Sequence, residues 1–324
     1  MKALLFEKYG RPEDVLQLGE IARPEPQENE VLIRVMATAV NDYDWSVLRG
    51  KPLVYRLMYG LLKPKMNIPG MELSGEVVGM GAEVRQFEVG DAVFGDISHY
   101  GFGTFAEYIA IDAKAVVKMP PGMSFVEAAA IPHAAGLAFQ ALEDLDRAGK
   151  GQRVLINGAG GGVGAVGLQL AKNRGYEVVG VDAQEKLTKM KAMGFDEVLD
   201  YRQTDITKVS QRYDLILDCK CCKSIFLFPK ILTPKGRYVA IGGEVLSLLQ
   251  VALFGKILGL LTKQRFQVLS LKSNKDLAKI GDQFNHNLLN THVDGPFPWT
   301  DAPRLIQYFG EGKHQGKIVL MVSD

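Results

Sequence analysis

Cysteine is scarce. The chain's 324 residues hold three, Cys219, Cys221 and Cys222, crowded into four positions. Three thiols from one short segment cannot close a tetrahedral zinc site, and there is no second Cys-x-x-Cys half. Cys221 and Cys222 are chain neighbours and would bridge only through a strained ring. They read as reduced thiols packed as small apolar groups, in a reducing, cytoplasmic setting. Charge of one sign is lacking too. Against 38 Lys+Arg stand 37 Asp+Glu, so the formal net charge is +1 and nucleic acid finds no electrostatic footprint. No basic arm, acidic tail or low-complexity tract occurs. The opening Met1-Lys2-Ala3-Leu4-Leu5-Phe6 meets Glu7 and Lys8 too early for a secretory signal. The one long apolar run, 245–261, falls short of the about 20 residues of a membrane span and carries Lys256 inside it, at a cost of roughly 3 kcal/mol. It reads as cover for a pocket or as a subunit interface. What remains is an ordinary globular composition, 47% hydrophobic and 23% charged. Single cores stop growing at roughly 250–300 residues, so two domains are expected.

The first 124 residues read as β-rich, with strands at 31–35 and 76–79 and turns at Pro24, Pro26, Pro69-Gly70, Gly90-Asp91 and Pro120-Pro121-Gly122. From Phe125 the pattern changes. Alanine-rich helical spacing covers 127–146, and Gly149-Lys150-Gly151 then turns the chain. Strands are expected at 153–157, 177–182, 197–200, 213–219, 237–243 and 265–271, separated by helices at 162–174, 184–193 and 224–232. Near-continuous apolar strands alternating with helices predict a parallel sheet covered on both faces, an α/β doubly wound domain. After Leu271 a polar helix is expected over 274–289, a short helix after Thr300, and a last strand over 317–322. That tail is expected to return to the first domain.

Between the first strand and its helix lies Asn157-Gly158-Ala159-Gly160-Gly161-Gly162-Val163-Gly164. A dinucleotide pyrophosphate needs backbone approach that a Cβ would block, and it needs the bare N–H groups of a helix N-terminus. Asp182 ends the second strand, where a carboxylate would accept from the adenosine ribose 2′-OH. The cofactor candidates are therefore Ala159, Gly160, Gly161, Gly162, Val163, Gly164 and Asp182, with Gly242 and Gly243 closing the fifth strand. NAD or NADP stays open. Asp182 would repel a 2′-phosphate and favours NAD, whereas Lys186 and Tyr201 can cradle such a phosphate and favour NADP.

With these elements in place, the chain resembles the medium-chain dehydrogenase/reductase superfamily, and within it the zinc-free quinone oxidoreductase-like branch. The motifs that carry the resemblance run through the whole chain: 41–50 (NDYDWSVLRG), 69–75 (PGMELSG), 89–95 (VGDAVFG), 103–108 (GTFAEY), 127–142, 159–164, 199–201 and 316–320 (GKIVL). The resemblance implies a chaperonin-10-like catalytic domain with a partly closed barrel (1–124 and 272–324). It further implies a Rossmann domain (125–271), an active site in the cleft between them, and a homodimer. It places Lys186 and Tyr201 where quinone reductases contact the NADP 2′-phosphate, and Asp182 where NAD-dependent members carry an acid.

Zinc-dependent relatives place ligands near positions 42, 71 and 133, where this chain has Asp42, Met71-Glu72 and His133. Methionine is a poor zinc ligand, and the lobe with four clustered cysteines is missing. No metal is expected, although Asp42, Glu72 and His133 keep open an alcohol dehydrogenase or aldehyde reductase with a rebuilt site. Without a Lewis acid, hydride delivery to a small hydrophobic electron-poor acceptor is the easier chemistry, a quinone or a carbonyl-conjugated C=C bond. The catalytic candidates are Asn41, as donor to a carbonyl oxygen, Tyr43, as stacking ring or proton donor, and His133, as hydrogen-bonding residue or proton relay. Asp44 reads as a carboxylate fixing that loop. The aromatic, apolar segment 54–62 reads as an acceptor cover or a packing helix. A third reading keeps dinucleotide binding without turnover, in a sensor, scaffold or membrane-peripheral protein acting through 245–261.

Overall fold

A computed structural model describes residues 1–143 and 151–323. Strands β1 (Lys2–Leu5) and β2 (Gln17–Glu20) form an antiparallel pair, and α1 (Pro12–Val15) opens on Pro12, where a missing N–H is harmless. Next come β3 (Glu30–Ala39), α2 (Asp42–Arg49) and α3 (Val54–Tyr59). Gly50 closes α2 at φ +57°, the left-handed cap that glycine adopts without strain. Four further strands follow: β4 (Glu72–Met80), β5 (Ala92–Asp96), β6 (Tyr108–Asp112) and β7 (Val117–Lys118). Helix α4 (Phe125–Ala129) starts from a capping box in which Ser124 and Glu127 bond each other's N–H. Helix α5 (Pro132–Leu142) is separate. The single helix expected over 127–146 is therefore two, because Pro132 has no N–H to donate and disfavours helical geometry at Ile131. Its end beyond 143, and the turn expected at Gly149 and Lys150, lie outside the described residues.

The alternating segment runs β8 (Arg153–Asn157), α6 (Gly162–Asn173), β9 (Glu177–Asp182), α7 (Gln184–Met193), β10 (Glu197–Asp200), β11 (Tyr213–Asp218), β12 (Leu232–Ala240), α8 (Val245–Thr262) and β13 (Arg265–Val268). All six strands pair in parallel, in the order β10-β9-β8-β11-β12-β13. This is the doubly wound order, with its switch point beside β8. Leu155, Val179, Ile216, Phe228 and Tyr238 fill the layer between sheet and helices, each contributing roughly 1.5–3 kcal/mol by leaving water. The helix expected over 224–232 is replaced by two 3₁₀ turns, Ile225–Leu227 and Pro229–Ile231, interrupted at Pro229. Strand β12 starts earlier and stops earlier than the expected 237–243.

In the tail, α9 (Leu277–Asn285) is shorter than the expected 274–289. Asn274 is left-handed, and its side chain instead donates to the carbonyls of Asp96 and Ala115. Strand β14 (Val293–Pro298), helix α10 (Ala302–Gly310) and strand β15 (Lys317–Met321) complete the chain. β15 pairs with β3 and β14, giving a seven-stranded sheet ordered β14-β15-β3-β4-β5-β7 with β6 on β3. The chain divides into two compact units, Met1–Gly136 with Lys272–Asp324, and Leu137–Leu271. The first boundary falls after Gly136 rather than after residue 124, because α4 buries Ala129 and Ala130 against Ala37, Ala39 and Val319. Ser74 Oγ also donates to the Phe125 carbonyl at 2.6 Å.

Candidate active site

In the second unit the glycine-rich turn is fixed from both sides. The N–H groups of Gly158 and Ala159 donate to the Val181 carbonyl at 2.9 and 3.1 Å, and Gly158 sits at φ +82°. Gly160 N–H donates to Asp182 Oδ2 at 2.9 Å, while Asp182 Oδ1 accepts from Ala183 N–H at 2.8 Å. A Cβ at Gly160 would lie 2.7 Å from Lys186 Cδ, and one at Gly164 would lie 2.3 Å from the Ala159 carbonyl oxygen. Packing demands glycine at 164, where the neighbour is backbone, while at 160 a Cβ would press on the Lys186 side chain. Gly162, Val163 and Gly164 open α6, where the first turn has no carbonyl below to accept their N–H groups. Backbone donors and the positive end of the helix dipole therefore meet at a spot without side-chain bulk at Gly161 and Gly162, which fits a pyrophosphate.

Lys186 neither faces solvent nor stands ready for a phosphate. It is buried, with Nζ 3.5 Å from Oδ1 of Asp182, four residues back at the end of β9. Tyr201 is exposed, its N–H on the Asp182 carbonyl and Arg202 beside its ring. Gly243, at φ +133°, packs so closely that a Cβ would lie 2.1 Å from the Lys220 carbonyl oxygen, whereas Gly242 has room. Asp218, which sequence reasoning gave no role, ties the carboxyl ends of three strands together. It accepts from Asn157 Nδ2 (2.8 Å), Cys221 N–H (2.7 Å) and the Tyr238 hydroxyl (2.7 Å). Its only sequence signal is its place at the end of the apolar run YDLILDC. The three cysteines are free. Burial and the Asp218 charge push the Cys219 thiol up to about 12, and burial raises that of Cys221 to about 11, so neither is a ready nucleophile.

The first unit carries a buried polar cluster. Glu72, fully buried at the start of β4, ion-pairs with Lys317 of β15; its Oε2 accepts from Asn41 Nδ2 at 2.8 Å and its Oε1 from His133 N–H at 2.6 Å. Lys317 Nζ also donates to Asn41 Oδ1. Asn41 was expected to donate to a substrate carbonyl, but its amide hydrogens are engaged by Glu72 and, at 3.3 Å, by the Ala39 carbonyl. It acts inside the cluster instead. Asp44 caps α2, accepting from Asn41 N–H and Gly70 N–H, both at 2.8 Å. Burial, only partly offset by those bonds and by Lys317, pushes its carboxyl up to about 7.

His133 Nδ1 lies 2.8 Å from Asp96 Oδ2. Burial works against ionising Asp96, but the hydrogen bond and charge of His133 and the bonds from Ser98 outweigh it and hold the carboxyl below its usual range. A carboxylate there can only accept, so Nδ1 carries a hydrogen and Nε2 is left for another partner. Tyr43 stands in an aromatic cluster, its ring 5.8 Å from Tyr55 and 5.9 Å from Phe102; Tyr59 completes the set, 5.6 Å from Phe102 and 6.2 Å from Tyr55. Burial, then the charges of Asp96 and Asp42, raise the Tyr43 hydroxyl. Sequence reasoning missed Asp96, Phe102 and Lys317. Lys317 lay inside the GKIVL motif, but nothing in the sequence linked it to Glu72.

The family model of the alcohol dehydrogenase GroES-like domain matches residues 27–121, and that of the zinc-binding dehydrogenases matches 193–320. A chloroplastic quinone-oxidoreductase homolog of Spinacia oleracea is 30% identical over 331 residues, covering 99% of this chain and 98% of its own length. The chain belongs to the medium-chain dehydrogenase/reductase superfamily, in its quinone oxidoreductase-like branch. A chloroplastic NADPH-dependent alkenal/one oxidoreductase of Arabidopsis thaliana is 28% identical over 333 residues, 99% of this chain and 79% of that protein. The structure of the quinone oxidoreductase from Coxiella burnetii superposes with a TM-score of 0.84 at 26% identity, covering 100% and 99% of the two chains.

This medium-chain dehydrogenase/reductase is an oxidoreductase using an NAD(P) dinucleotide. One matching family is named for zinc, and the residues here do not fit that ion. Glu72, the one buried carboxylate of the candidate set, already has both oxygens bonded and an ammonium against it, while Asp42 is exposed. Among the described residues no group of three His, Cys, Asp or Glu is placed to hold a metal ion.

Proposed function

We propose that this oxidoreductase delivers a hydride from NAD(P)H to a small, hydrophobic, electron-poor acceptor, a quinone or a carbonyl-conjugated C=C bond, without a metal ion. The observation that carries this reading is the Lys317 ammonium seated on Glu72. A buried carboxylate already neutralised by lysine leaves no metal to polarise an alcohol, so the acceptor must be electron-poor itself. The alkenal/one reductase and quinone oxidoreductase named above support the same acceptor class.

The dinucleotide supplies the hydride; binding and proton management fall to the chain. In the turn 159–164, Gly162, Val163 and Gly164 at the start of α6 offer the N–H groups that hold the pyrophosphate, while the N–H groups of Ala159 and Gly160 fix the turn on Val181 and Asp182. Asp182 accepts from the adenosine ribose, and because its charge is only partly met by Lys186 at 3.5 Å, it favours NADH over NADPH. Tyr43, Tyr55, Tyr59 and Phe102 offer faces and edges to a planar acceptor. His133, with Nδ1–H held by Asp96, presents Nε2. In its protonated form it donates to the acceptor's carbonyl oxygen and gives up that proton as the hydride reaches the β-carbon or the quinone. Asp96 is a positioning residue. The reading also keeps the protein a homodimer in a reducing cytoplasm. Its free thiols support the compartment, and sedimentation velocity checks the dimer.

The test is loss of nicotinamide absorbance with a panel of quinones and enones. Turnover that persists after chelation, and falls about 100-fold or more in His133→Asn with KM little changed, is expected. No oxidation with any acceptor would overturn the proposal.

A further inference from the structure

One amide side chain takes the place of a missing strand beside the His133–Asp96 pair. Strand β5 pairs with β7 at Val93 with Lys118 and Phe94 with Val117, a register that, continued along β5, would face Asp96 with Ala115. The pairing stops short of them, because Ala113–Ala115 winds into a 3₁₀ turn capped by Asp112. Asn274 fills the gap. Its Oδ1 accepts from Asp96 N–H at 2.8 Å, and its Nδ2 donates to the Asp96 carbonyl at 3.0 Å and to the Ala115 carbonyl at 2.8 Å. The oxygen and both hydrogens of the amide are thereby engaged.

The grip reaches the carboxylate. Asp96 Oδ1 accepts from Ser98 N–H at 2.9 Å and its Oδ2 faces His133 Nδ1 at 2.8 Å, while Ser98 Oγ lies 3.2 Å from Oγ of Ser273, the chain neighbour of Asn274. In the β4–β5 pairing Asp96 stands opposite Glu72, whose Oε1 accepts from His133 N–H. Asn274 is itself held. It sits at φ +59°, a left-handed conformation that asparagine tolerates, and its carbonyl accepts from Leu277 N–H at 3.1 Å. Buried Leu277, Ile280 and Phe284 then seat α9 behind it. We infer that Asn274 is a positioning residue for hydride transfer: by fixing the Asp96 backbone at the open edge of β5, it sets where the carboxylate meets His133 Nδ1 and so where Nε2 points. This inference rests on the reading of His133 as proton donor. Misplacing a reacting group by about 1 Å costs up to about 100-fold in rate, so the side chain acts on kcat while touching no substrate.

Two variants of the full chain test it. Asn274→Gly keeps the left-handed backbone without strain and deletes the amide. Asn274→Asp keeps the size and the oxygen for Asp96 N–H but sets a carboxylate against two carbonyls. In both, kcat should fall about tenfold or more while KM moves less than about twofold. Proton NMR of protein carrying isotope-labelled histidine reads the same geometry without turnover. The Nδ1–H signal that His133→Asn abolishes should move upfield and exchange faster with water in both Asn274 variants. Unchanged emission from Trp45 and Trp299 shows that this unit still folds. An unmoved signal in both variants overturns the inference, and so does wild-type kcat in both where His133→Asn is inactive. An Asn274→Asp that matches wild type while Asn274→Gly does not also overturns it, since the residue then only fills space. If wild type reduces no acceptor, the acceptor reading fails separately, and the signal alone decides: moved supports the inference, unmoved ends it.

Discussion

Replacing Lys317 by methionine isolates the charge at the centre of the first unit's cluster. Methionine keeps much of the aliphatic stem and removes the ammonium, so Glu72 remains fully buried with only Asn41 Nδ2 and His133 N–H as partners. Breaking a buried pair from one side costs about 3–5 kcal/mol, because the remaining charge has lost its counterion and cannot reach water. Adding Glu72→Gln removes that charge while an amide oxygen still accepts from His133 N–H and the amide NH2 can donate to Asn41 Oδ1. The double variant should therefore recover most of the loss, with a coupling of about 2 kcal/mol or more. Urea unfolding followed by tryptophan fluorescence measures this in the right place, since the chain's two tryptophans, Trp45 and Trp299, both lie in that unit. A Lys317→Met variant within about 1 kcal/mol of wild type would refute the reasoning.

Asp182→Asn keeps an oxygen for Gly160 N–H while removing the charge, so NADPH affinity should rise about tenfold or more relative to NADH in a fluorescence titration; equal affinities in wild type would contradict the assignment. Asp44, with its carboxyl up at about 7, binds its proton more tightly folded than unfolded, so its contribution to stability is present at low pH and is lost as pH rises towards 7. Asp44→Asn should remove that part of the slope in urea midpoints between pH 4 and 7, while Asp96, held low, acts oppositely and loses its contribution as pH falls below the carboxylate range. Mass spectrometry after iodoacetamide at neutral pH should find Cys219 and Cys221 unmodified, and any slow alkylation confined to exposed Cys222.

Local signals carried far in this chain. The six parallel strands were legible because each is a short, largely apolar run set off by helices or turns, and Gly194 stops α7 in the left-handed conformation that glycine adopts without strain. Interruptions by proline were not: Pro132 and Pro229 sit inside apolar, helix-period segments, and only their missing N–H groups break them. The nucleotide turn was readable because five glycines fall within 158–164, between a strand and a helix. The purpose of Gly160, which makes room for Lys186 and Asp182, needed coordinates. The polar cluster shows the opposite limit. Asn41, Glu72, His133 and Lys317 come from four distant stretches, and the pairing of Lys317 with Glu72 is set by β15 and β4 flanking β3. No spacing rule reaches that far, which is why Asn41 looked like a free donor.

The most direct test follows the hydride itself. Metal-chelated protein is given nicotinamide cofactor deuterated at the transferable position together with an enone, and the product is examined by mass spectrometry and NMR. The account predicts one deuterium on the β-carbon and a solvent-derived proton on the α-carbon. Product without deuterium, or turnover that stops on chelation and returns with zinc, would contradict it.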